Sequence, residues 1–132
     1  MSVTTVNVSD ELIRLGKNLG NNMKSIVDDI TRAWNELDPE LIVRHLSPDF
    51  RYDSQWVFDY LTYDGYVEYI RGKFKTLRER GIPIEAITVE DPYHQGGWMT
   101  KIVQRLGDKE NVCYYRIEMK NGLVVKGDLC MF

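Results

Sequence analysis

The chain has 132 residues, of which 43% are apolar and 28% are charged, and its net charge is −3. These values are typical of a globular domain and exclude a disordered or fibrous chain, and the scattered basic residues offer no positive surface for nucleic acid. The N-terminal residues contain no apolar run of signal-peptide length and no window resembles a membrane span, so we expect a cytoplasmic protein without membrane association.

Two helices are predicted in the N-terminal region. A serine or aspartate at positions 9–10 can cap a short helix that ends near Leu19, because the Gly-Asn-Asn sequence that follows weakens helical structure. The apolar residues of 23–37 then recur at intervals of three and four, which predicts an amphipathic helix. We therefore interpret residues 1–22 as a short helical extension and residues 23–132 as one domain.

Helix and strand signals alternate in the next part of the chain. The Asp38-Pro39 pair predicts the start of a short second helix, which the strand FRYDSQWV at 50–57 follows. A third helix is predicted over 64–80, with Gly81 as its C-terminal cap. Gly72 inside this helix costs about 1 kcal/mol relative to alanine, which favours close packing of the helix against another element.

After Gly81 the apolar period changes to two, which predicts four strands. These are residues 82–90, 98–106, 112–120 and 123–132. A slip in the apolar phase between Ala86 and Ile87 indicates a bulge, and Asn121-Gly122 predicts a two-residue hairpin turn. The order of elements predicts the α+β class, with helices packed on one face of a curved antiparallel sheet.

The predicted turn sets a register for the last two strands. Counting outward from it pairs Tyr115 with Asp128 and Cys113 with Cys130, and places Lys126 on the same face. If this face is the inner one, Asp128 is the candidate catalytic acid or base, because burial among aromatic walls raises the pKa of a carboxyl group.

The alternative for the same residues is structural. Lys126 could hold Asp128 ionised, and the two could form an ion pair at a solvated end of the sheet or in a dimer contact. A tyrosine, Tyr52 or Tyr115, is the candidate donor to a developing oxyanion.

The chain is rich in aromatic residues, whose polar tips need partners when they are buried. A cavity lined by aromatics would provide such partners, and an ordinary aromatic core is the alternative. The candidate ligand-binding residues are Trp34, Tyr52, Ser54, Trp56, Tyr69, Trp98 and Lys126. The two histidines and two cysteines lack metal-ligand spacing, so neither a metal site nor a cofactor is expected.

Two segments carry a family resemblance. ITRAWNELDPELIVRHLSPDFRYDSQW at 30–56 and DGYVEYIRGKF at 64–74 resemble the nuclear transport factor 2-like superfamily, in particular its bacterial SnoaL-like and ketosteroid isomerase-like members. The resemblance covers residues 23–132. It implies a cone-shaped sheet wrapped around three helices, a cystatin-like fold, with an internal small-molecule cavity and a homodimer formed through the outer sheet face.

The resemblance also bears on chemistry. In that family the final strand commonly points a polar residue into the cavity, which makes the face of Tyr115, Lys126 and Asp128 our choice for the inner face. In the isomerases of that family the general base is a carboxylate on the first strand, and Ser54 stands at the corresponding place. The tyrosine of their oxyanion hole falls near Ile30, which has no donor, so isomerase activity of that type is disfavoured. Two hypotheses remain: a domain that binds a small apolar or aromatic molecule, and a lyase or isomerase of the dehydratase or cyclase type that uses Asp128.

Overall fold

The structure, a computed structural model, describes residues 8–54 and 59–131, and for residues 8–21 the helical backbone alone. Three helices and six strands are found in these residues. In chain order they are α1 (Val8–Glu36), α2 (Glu40–Val43), β1 (Leu46–Ser54), β2 (Leu61–Thr62), α3 (Tyr63–Arg80), β3 (Ile84–Glu90), β4 (Trp98–Leu106), β5 (Lys109–Lys120) and β6 (Leu123–Cys130). The predicted α+β class, with helices and a curved sheet, is confirmed.

The six strands form one sheet in the order β2-β1-β6-β5-β4-β3. Its strand pairs are antiparallel except for β1 and β6, which run parallel. The expectation of a wholly antiparallel sheet is therefore wrong at this pair. β1 is separated from β6 by α3 and the β3–β5 strands, and parallel pairing requires a long connection of this kind.

The helices cover the inner face of the sheet, where α1 packs on β3 and β4 and α3 packs on β1. Polar side chains fix α1 in place. The Thr31 hydroxyl lies 2.8 Å from that of Thr88 and 2.9 Å from that of Thr100. The Asn35 amide donates to the carbonyl of Ala86 and accepts from its N–H, at 2.9 and 2.8 Å. These contacts anchor the helix while apolar side chains fill the space between the layers.

The first helix is continuous, so the predicted break after Leu19 is wrong: α1 runs from Val8 to Glu36. A glycine within a helix costs about 1 kcal/mol, which weakens the helix without ending it. The division of the chain into an extension, 1–22, and a domain, 23–132, stays a prediction.

The second helix is shorter than predicted and ends at Val43, so that β1 begins at Leu46. The carboxylate of Asp38 accepts the N–H of Glu40 at 3.1 Å, which supports the start of this helix as the sequence indicates. The third helix agrees with the prediction, and its cap Gly81 has the left-handed φ of 61°.

Two details of the predicted packing are wrong. A Cβ atom at Gly72 would meet no atom within 4 Å, so this glycine is not required by close packing. The pairing of β3 with β4 is continuous from Ile84 to Glu90, without the bulge predicted beside Ala86. Ile87, whose apolar character suggested that bulge, instead lies on the outer face and is 55% exposed.

The β5–β6 hairpin has the predicted turn, in which Asn121 and Gly122 both have positive φ. The predicted register holds only next to the turn. Met119 pairs with Val124, but Glu118 pairs with Lys126, so one extra residue of β6 lies between these pairs. This bulge reverses the faces of the following β6 residues, because neighbouring side chains of a strand alternate.

Candidate functional site

Four tyrosines lie together between α3 and the sheet. Tyr52 comes from β1, Tyr66 and Tyr69 from α3, and Tyr115 from β5. The ring centroid of Tyr52 is 4.7 Å from that of Tyr66, 5.7 Å from that of Tyr69 and 6.4 Å from that of Tyr115. Tyr66 and Tyr69 reach the same place because residues three apart on a helix are neighbours. We call these four residues the tyrosine cluster.

Three hydroxyl groups of the cluster, those of Tyr52, Tyr66 and Tyr115, are held in the protonated form. Burial raises the pKa of Tyr52, Tyr66 and Tyr115 above the ordinary value, and in Tyr52 the neighbouring Tyr69 adds to the effect. The hydroxyl of Ser54 is hydrogen-bonded to that of Tyr52. The cluster can therefore donate hydrogen bonds to a ligand, whereas a tyrosinate base is disfavoured there.

Three buried polar side-chain atoms have no hydrogen-bond partner within the part of the chain that the structure describes. They are the hydroxyls of Tyr66 and Tyr115, and Nε1 of Trp34. A buried donor without an acceptor destabilises a protein by about 1–3 kcal/mol. Such atoms are expected where a ligand or water completes the hydrogen bonding.

An open groove of about 580 Å³ borders α3. This is within the usual size range of small-molecule sites. The residues lining it, which we call the α3 groove, are Glu68, Tyr69, Gly72, Lys73, Thr76, Leu77, Arg80, Ile82 and Gln104. Tyr69 belongs to both the groove and the tyrosine cluster, so the groove adjoins the cluster at this residue.

Lys73 lies near two aromatic rings, of which that of Tyr69 lines the groove and that of Trp34 is buried behind it. Its Nζ lies 5.8 Å from the ring centroid of Trp34 and 5.8 Å from that of Tyr69. A cation at this distance is attracted to the electron-rich face of an aromatic ring. The groove thus combines apolar surface with a positive charge.

Solved structures of similar shape identify the architecture. A proposed ketosteroid isomerase from Kribbella flavida has a TM-score of 0.59 at 16% identity, over 83% of this chain and 76% of that one. A cystatin-fold protein from Novosphingobium aromaticivorans has a TM-score of 0.62 at 9% identity, over 82% and 97%. An NTF2-like protein from Cytophaga hutchinsonii has a TM-score of 0.55 at 8% identity, over 82% and 88%. The chain has the nuclear transport factor 2-like fold.

Sequence comparison adds nothing to this identification, since no protein-family model and no curated protein matches the chain. At such low identities the likeness concerns the fold, which hosts many activities. Within the described ranges, none of the helices combines the length and apolar character needed to cross a bilayer.

The bulge in β6 changes where two predicted site residues lie in this nuclear transport factor 2-like fold. Tyr115 pairs with Leu129, and both are buried on the inner face. Asp128 and Lys126 lie on the outer face instead, so the prediction that they share a face with Tyr115 is wrong. Lys126 Nζ is 3.6 Å from the Asp128 carboxylate and 3.9 Å from that of Asp53.

The surroundings of Asp128 agree better with an ion pair in a solvated part of the sheet than with a buried catalytic acid or base. Its side chain is 40% exposed and ion-paired to Lys126. A catalytic role for Asp128 stays a prediction, and from this position the carboxylate would act at the outer face of the sheet.

The other predicted site residues are partly assembled. Tyr52, Ser54 and Tyr69 lie together, as expected for one site. Trp34 is buried against Phe74, with ring centroids 4.8 Å apart. Trp98 is on β4, three strands from Tyr52 in the sheet, where Lys24 lies 5.3 Å from its ring centroid. Trp56 lies outside the described residues.

Sequence reasoning missed two residues of the site, Tyr66 and Lys73. Tyr66 lies four positions before Ile70 and belongs to the buried stripe of α3. Lys73 lies four positions after Tyr69, on the same side of the helix. Both spacings were visible in the sequence, but a tyrosine and a lysine on a charged helix are also typical of a solvent-facing surface.

A second polar cluster joins α1 to the start of β1. The Asp29 carboxylate lies 2.7 Å from Nε2 of His45 and 2.7 Å from Nη2 of Arg44. Partial burial opposes ionisation of Asp29, but hydrogen bonds from Arg44 and His45 outweigh it and lower its pKa. The cluster contains no nucleophile, and among all described residues no group of three His, Cys, Asp or Glu could hold a metal ion. We interpret it as structural.

Proposed function

We propose that the chain is a small-molecule-binding domain that takes an apolar or aromatic ligand in the α3 groove, against the tyrosine cluster. The observation that carries the proposal is the position of Tyr69. Its ring lines the groove and lies 5.7 Å from Tyr52 and 6.3 Å from Tyr66. A rotation of this one side chain would connect the groove with buried hydroxyls.

The unpartnered polar atoms support binding at this place. The hydroxyls of Tyr66 and Tyr115 belong to the cluster that Tyr69 joins to the groove, and they have no acceptor among the described residues. A ligand with an apolar body and one oxygen would satisfy them while its body packed on the aromatic rings. The same arrangement offers little support for acid or base catalysis, because the buried hydroxyls have raised pKa values and Asp128 lies on the opposite face.

A bulky residue in the groove provides a direct test. A Cβ atom at Gly72 is unobstructed, so Gly72→Trp would fill the groove without strain at the backbone. We expect 2-naphthol, a neutral bicyclic aromatic, to produce saturable amide shifts in α3 and β4 of the unmodified protein and none in Gly72→Trp. Lys75→Trp, on the exposed side of α3, is the matched control and should bind as the unmodified protein does.

Two results would contradict the proposal. One is binding of 2-naphthol that is unchanged by Gly72→Trp, and the other is a set of shifts confined to the outer face of the sheet. Circular dichroism of each variant establishes that the fold is retained.

We also propose that the chain forms a homodimer through the outer face of the sheet. Apolar side chains of β3, β4 and β5 are partly exposed there: Ile87, Val89, Val103, Val112 and Tyr114. Lys101 and Glu118 add charges of both signs to the same face, so two copies related by a two-fold axis could match each other. Patches of this kind are typical of protein interfaces.

Sedimentation analysis tests the dimer. We expect the unmodified chain to sediment as a dimer and Ile87→Glu as a folded monomer, because the charge would be buried in the interface without a partner. Asp108→Lys, in the exposed β4–β5 turn, changes the charge elsewhere and should leave the dimer intact. A monomeric unmodified chain would contradict the proposal.

A further inference from the structure

We propose that the ligand of the α3 groove is a monocarboxylate on an aromatic or apolar body, and that Lys73 binds its carboxylate. This inference rests on the proposed binding function of the groove and specifies the chemical class of the ligand. It starts from a positive charge that has no counter-charge among the residues whose side chains the structure describes.

Lys73 lacks the acidic partner that two other lysines of the described residues have. Lys24 is paired with Asp28 at 3.2 Å, and Lys126 with Asp128 at 3.6 Å. No described carboxylate lies within ion-pair distance of Lys73, although its side chain is half-buried. Partial removal from water weakens the hydration of an ammonium group, so an incoming anion would restore favourable interactions.

The ammonium group lies on the side of α3 that faces the aromatic rings. It is 5.8 Å from the ring centroids of Trp34 and Tyr69. Burial raises the pKa of the Cys113 thiol, and the charge of Lys73 opposes this effect. Cys113 is paired with the buried residue Ile102 on the inner face of the sheet.

A second donor lies behind the groove lining, under the lysine. Nε1 of Trp34 is buried without an acceptor among the described residues, and Lys73 covers the ring of this tryptophan. Thr76 and Gln104 add a hydroxyl and an amide to the same groove. Several donors around one cation match the acceptor oxygens of a carboxylate.

The arrangement of charges favours a single negative charge on the ligand. The groove is lined by two cationic residues, Lys73 and Arg80, and one acidic residue, Glu68. Lys73 and Arg80 are seven positions apart, which corresponds to about 10 Å along the helix axis. An anion placed against the Trp34 and Tyr69 rings would therefore meet the ammonium group of Lys73 first, and one ammonium group suffices for a carboxylate. Leu77, Ile82 and Tyr69 supply apolar surface for the remainder of the ligand.

Titration calorimetry with three compounds tests the inference: 2-naphthoate, 2-naphthol and 2-naphthyl phosphate. They share the naphthalene ring system and differ only in the polar group at position 2. We expect the carboxylate to bind at least tenfold more tightly than the neutral alcohol, about the effect of one charge-assisted hydrogen bond. Lys73→Met keeps the length and apolar stem of the side chain, and should reduce naphthoate affinity to that of naphthol. Lys75→Met, on the exposed side of α3, should change neither.

The outcomes separate this inference from the proposed function. Equal affinity for naphthoate and naphthol, or a preference that survives Lys73→Met, would overturn the carboxylate assignment while leaving a binding groove. Tighter binding of the phosphate than of the carboxylate would also overturn it. Failure of all three compounds to bind would overturn the proposed function together with the inference.

Discussion

The hydroxyl of Tyr115 occupies the space that a Cβ atom at position 127 would fill. Gly127 lies on the inner face of β6, and the Phe50 ring approaches the same point to 3.1 Å. The absence of a side chain at Gly127 is what allows a buried tyrosine to cross this strand and reach the tyrosine cluster.

We predict that Gly127→Ala lowers the free energy of unfolding by about 1–3 kcal/mol, because the added methyl group collides with the Tyr115 ring. Urea denaturation measures the change. Tyr115→Phe alone should be neutral or slightly stabilising, since it removes a buried hydroxyl without a described partner. In the double variant the phenylalanine should recover part of the loss, and strictly additive effects would contradict the proposed collision.

Gly72 and Gly81 are predicted to respond in opposite directions to alanine. Gly72 is inside α3 with open space around its Cα, so Gly72→Ala should raise the free energy of unfolding by about 1 kcal/mol. Gly81 has a φ of 61°, so Gly81→Ala should lower it by about 1 kcal/mol. Thermal denaturation of the two variants provides the comparison, and equal shifts would be inconsistent with these backbone conformations.

Asp91 is predicted to stabilise the protein in a pH-dependent way. Burial opposes ionisation of its carboxyl group, but the N–H of Tyr93 and the guanidinium of Arg116, at 2.8 Å, outweigh burial and lower its pKa below 3.8. The stabilisation is therefore fully present above pH 3.8 and is lost as the pH falls through the lowered value. Asp91→Asn should cost about 1–3 kcal/mol at neutral pH.

Urea denaturation of Asp91→Asn and the unmodified protein between pH 7 and pH 2 measures this dependence. The difference between them should shrink at the acidic end, where the carboxyl group of the unmodified protein is protonated. A difference that stays constant over this range would show that the charge of Asp91 has no role. Asp108→Asn, in an exposed turn, serves as the control.

The register of the last hairpin makes a prediction about its cysteines. Cys130 is opposite Tyr114, whereas Cys113 is on the inner face opposite Ile102 on β4. Mild oxidation of the unmodified protein should therefore yield no intramolecular disulfide. Tyr114→Cys in a Cys113→Ser background should crosslink to Cys130, because directly opposed residues of an antiparallel pair bring their Cβ atoms close. Mass spectrometry of proteolytic fragments identifies the bond, and a Cys113–Cys130 crosslink would contradict the register.

Local sequence signals were sufficient for much of the fold. The stripe of α3 and its glycine cap are determined by neighbours three and four positions apart, and Asn121-Gly122 determines its own turn. The bulge in β6 was not predicted because counting from the turn assumes an unbroken ladder. The bulge shifts the strand pairing by one residue, so that Leu129 is buried while Lys126 and Asp128 face water. Which residues must be buried depends on packing between the sheet and the helices, which a count along the hairpin does not include.

The candidate site was less predictable than the fold. Tyr52 and Tyr69 were identified because aromatic side chains in amphipathic segments are expected in a core or cavity. The significance of Lys73 depends on the absence of a nearby carboxylate, which is a property of the folded arrangement. Trp34 was expected to contact a ligand, but its unpartnered N–H became apparent only from its surroundings in the folded chain.

The parallel pairing of β1 with β6 has a consequence for biosynthesis. β6 lies between β1 and β5, so it alone joins the β2-β1 part of the sheet to the β5-β4-β3 part. A nascent chain that has left the ribosome only as far as Asn121 can form its helices and local hairpins, but the two parts of its sheet remain unconnected. The edges of β1 and β5 that pair with β6 would then have no partner strand. We therefore expect a stalled chain of this length to depend on chaperones.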